Sequence, residues 1–161
     1  MGVVFTQSVT STPGGGATVG PRFALIPVHG YGIAVATVAH MLDAGAGGSR
    51  ARVLAPGEHI PYGSQPVLLA ETTVYGATCV EEMLRRWGPL PKPWLVLVAD
   101  APTRPVADAR YLVRALEGRL AGVAKVPYLP VLRAVKGPDE AVQHKDVMAA
   151  AEKLRRTMEG N

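Results

Sequence analysis

The 161-residue chain holds a single cysteine, Cys79, two tryptophans, two phenylalanines, and no lysine ahead of Lys92. One cysteine excludes a disulfide framework and any zinc site built from several thiolates, and it fits a reducing cytoplasm. No apolar run approaches the ~18–20 residues that a membrane-spanning helix needs. The first twenty residues lack a basic stretch followed by a long apolar core, so they do not read as a secretory signal. Met1-Gly2 with Thr6 matches the outline of an N-myristoylation signal, a short pattern often met by chance that carries no weight here. Charged residues make up only 19% against 48% hydrophobic, a balance that excludes wholesale disorder and suits one compact domain with a real core.

What charge there is lies unevenly. Residues 1–80 balance Arg22, Arg50 and Arg52 against Asp43, Glu58 and Glu71, so the second half carries the whole net +4. A basic half is compatible with nucleic acid or another polyanion. Acids interleave with these bases along predicted helices, however, as on an ordinary solvated face. Glycine (18) and proline (14) are about a fifth of the chain and promise many turns. Thr10–Gly16 is a Ser/Thr/Gly/Pro stretch with nothing to bury. Residues 1–20 are therefore expected to form a flexible arm, and residues 21–161 a single α/β domain.

Past the arm, short apolar runs alternate with helical periodicity. Phe23–Val28, Arg52–Ala55, Val67–Thr72 and Trp94–Ala99 read as strands, and Val126–Pro130 as a proline-limited edge strand. Ile33–Leu42 is apolar almost all round and must be covered on most sides. Gly76–Trp87 places Cys79, Val80, Met83, Leu84 and Trp87 on one face, which predicts a buried, inert thiol. A helix opening at Pro105 carries Val106, Ala109, Leu112 and Leu116, and a final helix runs from Pro138 to Gly160. Strands separated by helices predict a three-layer fold, a mainly parallel sheet of about five strands with helices on both faces. Ligands in such sheets gather at the carboxyl ends of the strands. Those ends are His29–Gly32, Thr72–Tyr75 and Asp100–Arg104.

The first of these turns carries the most information, because backbone amides at a helix start can hold a phosphate. His29-Gly30-Tyr31-Gly32-Ile33-Ala34-Val35-Ala36-Thr37 resembles the phosphate loop of the MinD/ParA group of P-loop NTPases, one residue short. Val96-Leu97-Val98-Ala99-Asp100 resembles their strand ending in an acid near magnesium. The resemblance implies a P-loop NTPase-like fold and a phosphate or nucleotide site, with ATP or GTP as the ligand class. On this sequence that site comprises His29, Gly30, Tyr31, Gly32, Ile33, Thr73, Asp100 and Arg104. It further implies bacterial cytoplasmic proteins, often dimeric, working in DNA partition, conjugation or on mobile elements.

The departures are as informative. No lysine stands in or near the turn, and Ala34 and Val35 occupy the places where a hydroxyl ligand to magnesium belongs. Thr37 comes two residues late, about 200° further round the helix. Each group of this kind is commonly worth ~3–4 kcal/mol in the transition state, so no magnesium and no hydrolysis are expected of the chain alone. The expectation is a catalytically degenerate binding or assembly protein with a protein partner or a second copy of itself. Two alternatives stand beside it: an NTPase whose missing cation comes from a partner, and a structural subunit of a phage or secretion assembly. Plainer roles exist for the same residues. His29 can bond backbone, Asp100 can form a turn, and Thr73 can cap a helix. His40, His59 and His144 are too scattered for a metal site.

Overall fold

A computed structural model describes residues 20–160; apart from Gly20, the expected arm lies outside the described residues. The chain runs β1 (Phe23–Pro27), α1 (Ile33–Asp43), β2 (Ala51–Val53), β3 (Gln65–Glu71), α2 (Val74–Arg85) and β4 (Trp94–Val98). It continues through α3 (Ala107–Leu116), β5 (Gly122–Val126), α4 (Pro138–Ala141) and α5 (Lys145–Glu159). The strands form one sheet in the order β2-β1-β3-β4-β5, and every neighbouring pair is parallel. Among the described residues no helix is long and apolar enough to cross a membrane.

The apolar runs became strands because both faces of the sheet are covered. Side chains alternate between the faces along each strand. Leu25, Val67, Leu69, Val96 and Val98 pack with α1 and α5 residues such as Met41 and Leu154. Leu68, Ala70, Leu95 and Leu97 pack on the opposite side with Val80 and Leu84 of α2 and Leu116 of α3. The result is three layers around the central strand β3. Helix α1, without a polar face, lies against the sheet layer with α4 and α5 beside it. His40 on its outer side reaches Asp139 of α4 at 3.1 Å.

Most boundaries shift by a residue or two from the sequence reading, and two elements differ more. The last strand is Gly122–Val126, not Val126–Pro130, because Pro127 and Pro130 have no N–H to give a sheet. It is nevertheless the edge strand. The single helix expected over residues 138–160 is two, α4 and α5, interrupted at Val142–His144. Ala141 and Val147 are both fully buried. On one straight helix, six residues would set them about 120° apart, and the break lets both turn inward.

The chain passes from β2 to β3 across β1 without a helix, and here the topology reverses. The turn after β1 leads to α1 on one face, and the turn after β3 leads to α2 on the other. In doubly wound sheets that divergence opens a crevice at the carboxyl ends of the two strands.

Candidate functional site

One wall of the crevice is the turn 28–32. Val28 N–H donates to the Leu69 carbonyl at 3.0 Å, which fixes the turn against β3. Nε2 of His29 accepts the backbone N–H of Glu71 at 3.0 Å. Its ring lies 5.7 Å from that of Tyr75, tilted by 50°. The plain role of His29, bonding to backbone, is therefore present. Gly30 and Gly32 face open space, since a Cβ at either would meet nothing within 4 Å. Tyr31 between them is 61% exposed.

Helix α1 then begins without a side-chain cap and with no acid in its first turn. Ala36 is the residue whose N–H closes onto the Gly32 carbonyl, at 3.0 Å. The amides of Ile33, Ala34 and Val35 come before the first α-helical bond and are left to outside partners. Helix α2 across the crevice is capped by contrast: Thr73 Oγ1 accepts the Gly76 N–H at 2.9 Å. Of the two helices that start here, α1 is the one without a side-chain cap.

The ends of β3 and β4 form the other wall. The Thr72 hydroxyl donates to Asp100 Oδ1 at 2.9 Å, and the Asp100 N–H returns to that hydroxyl at 3.4 Å. Asp100 is a turn former that ties two loops together. β3 separates β4 from β1, so the acid closing the strand next to β1 is Glu71. Glu71 is half-buried, and among the described residues nothing bonds its carboxylate. The sequence reading began this wall at Thr72 and missed Glu71. The available signal was an acid ending the apolar run Val67–Ala70, the same signal that singled out Asp100.

Two cavities meet at Glu71. A small one of about 180 Å³ lies between α1 and the ends of β3, β4 and β5, and Ile33, Thr37, Asp100 and Arg133 also line it. A larger groove of about 960 Å³ takes in Thr73 and Arg104 and runs along β5 between α3 and α5. Of the residues expected in the site, Ile33 and Asp100 thus share the small cavity, and Thr73 and Arg104 the groove. His29, Gly30, Tyr31 and Gly32 line neither. Thr37, expected to point away from the turn, is 1% exposed, and its hydroxyl has no hydrogen-bond partner.

Cys79 is half-exposed rather than buried, because the covered stripe of α2 is Gly76, Ala77, Val80 and Leu84. A hydrogen bond with the Cys79 thiol, and next the charge of that group, push the Tyr75 phenol above its ordinary value. No group of three or more His, Cys, Asp or Glu that could hold a metal occurs among the described residues. The arrangement can hold an anion on backbone amides. Such an end is worth only about 0.3–1 kcal/mol per charge at an exposed surface, and two carboxylates close the far wall. Comparison of the chain with protein-family models, curated proteins and solved structures finds no match.

Proposed function

We propose that this chain is a P-loop-like binding and assembly component that holds a phosphate-bearing ligand, ATP or GTP in class, without hydrolysing it. The observation that carries the reading is the uncapped start of α1 at the reversal point of the sheet, behind a glycine turn with open space around it. Free amides there match a phosphate oxygen in charge and direction. Exposed Tyr31 adds a flat surface, and stacking of a base on such a ring is worth about 1–3 kcal/mol. Nucleotides should therefore bind about tenfold or more tighter than inorganic phosphate. Turnover lacks its usual stabilisers, since the turn holds neither a lysine nor a hydroxyl at Ala34 or Val35.

The test is a thermal-shift panel of phosphate, pyrophosphate, ATP and GTP, with and without magnesium, on the wild type and on Gly32→Trp. The indole of that variant would fill the open space at the turn. Nucleotides should raise the wild-type Tm and leave the variant unmoved, with no phosphate released. A shift that persists in Gly32→Trp, or steady turnover by the pure chain, would end the proposal. The unengaged Glu71 carboxylate favours a second reading, an NTPase completed by a cation from a partner. Calorimetry separates the two, because only that reading requires magnesium for nucleotide binding.

A further inference from the structure

β5 ends the sheet, and its backbone shows which groups are already used. The Val126 carbonyl accepts the Ala99 N–H at 3.0 Å, so Val126 faces β4. By alternation Ala124 faces β4 as well, and the N–H and C=O groups of Val123 and Lys125 point outward. Among the described residues no strand meets them. What lies there is the groove of about 960 Å³, walled by Ala109 and Val113 of α3 on one side and by Ala149 and Ala150 of α5 on the other. The edge is recessed between two helices instead of standing free.

A recess of this kind selects its occupant. One extended segment, about 4.8 Å wide in the sheet plane, can enter between the helices. A second folded copy would bring its own α3 and α5 to the same place. It would also set Lys125 against an equally basic groove. Five cationic residues, Arg104, Arg110, Arg114, Lys125 and Lys153, line the groove against three acidic ones. Arg104, Arg114, Lys125 and Lys153 have no ion-pair partner among the described residues. Main-chain pairing would supply affinity, and the charges would supply preference.

We propose that the β5 edge takes an extended acidic segment of another protein as a sixth strand of the sheet. This stands on the open edge and not on the α1 turn, so the nucleotide shifts and the peptide binding described next can fail separately. The probes are a fluorescent peptide of four Glu-Val repeats, its Lys-Val counterpart, and the acidic peptide N-methylated at alternate residues. Fluorescence polarisation on the full chain should show saturable binding of the acidic peptide only. The methylated peptide should lose it, and the double variant Arg114→Glu, Lys125→Glu should weaken it about tenfold or more. Amide exchange should slow at Val123 and Lys125 on binding and stay unchanged at Ala124 and Val126. Equal binding of the two charge patterns, or no saturable binding, would overturn the proposal. So would protection of Val123 and Lys125 by self-association without peptide. Tighter competition by a single-stranded oligonucleotide would mark a polyanion surface and overturn it too.

Discussion

His29 Nε2 accepts the Glu71 backbone N–H at 3.0 Å, joining the turn that leaves β1 to the last residue of the central strand β3. With the bond from the Val28 N–H to the Leu69 carbonyl, this contact ties the two walls of the crevice together at two points. Loss of a partly buried bond of this type costs about 1 kcal/mol. His29→Ala should lower stability by about that amount and speed amide exchange at Glu71 several-fold, while exchange at Leu95 in β4 stays slow. Unchanged exchange at Glu71, measured by nuclear magnetic resonance, would show that the bond does not hold the turn.

Gly76 makes the same corner tight from the other side. A Cβ built there would lie 2.3 Å from the Glu71 carbonyl oxygen, which is backbone and cannot swing away. Gly76→Ala should therefore destabilise by about 2–3 kcal/mol, at the upper end for overpacking. Gly30→Ala, with no neighbour within 4 Å, should be within about 0.5 kcal/mol of wild type. Urea midpoints of the two variants decide the matter.

The strands were legible for a physical reason that also marks the limit. A parallel strand covered on both faces must be apolar throughout, so Val67–Ala70 and Trp94–Val98 announce themselves. Strand order leaves no such mark. Whether β3 lies beside β1 or beyond β2 depends on the path of residues 54–64, whose composition is that of any loop. Glu71 was missed for the same reason: the acid is readable, but its place next to β1 comes from the order of the strands. The break at Val142–His144 was hidden because Pro138 and Asp139 start a helix equally well whether it runs four residues or twenty. His29 and Thr73, in contrast, already carried their backbone-bonding roles in residue type and position.

Asp43 links acidity to the fold. Burial by itself would raise its carboxyl, but the N–H groups of Gly48, Ala51 and Arg50 together outweigh that, and the His40 charge adds to them. The folded value therefore lies below the ordinary one. The stability this supplies is present above the unfolded carboxylate's value, roughly 3.9. It is lost as pH falls through the folded value. The bonds measure 2.8 Å from Gly48, 3.0 Å from Arg50 and 3.1 Å from Ala51, and they close the turn between α1 and β2. Asp43→Asn should cost about 1–2 kcal/mol at pH 7. It should also flatten the loss of stability that the wild type shows below roughly pH 4. Urea unfolding between pH 3 and pH 7 tests both statements.

Thr37 is a hydroxyl denied its nearest partner. On the helices of this protein Thr78 donates to the Val74 carbonyl at 2.8 Å, and Thr157 to the Lys153 carbonyl at 3.0 Å, each four residues back. Thr37 makes no such bond and is buried without any other. A buried hydroxyl in that position costs about 1–3 kcal/mol, and valine keeps its shape without the oxygen. Thr37→Val should therefore stabilise the protein by about 1 kcal/mol, roughly 2–4 °C in Tm. Thr78→Val, at an exposed site, should change stability by less than about 0.5 kcal/mol. A loss of stability in Thr37→Val would mean that the hydroxyl is satisfied in solution by something bound in the 180 Å³ cavity. The sign of one substitution thus tells whether this space beside α1 is idle or occupied.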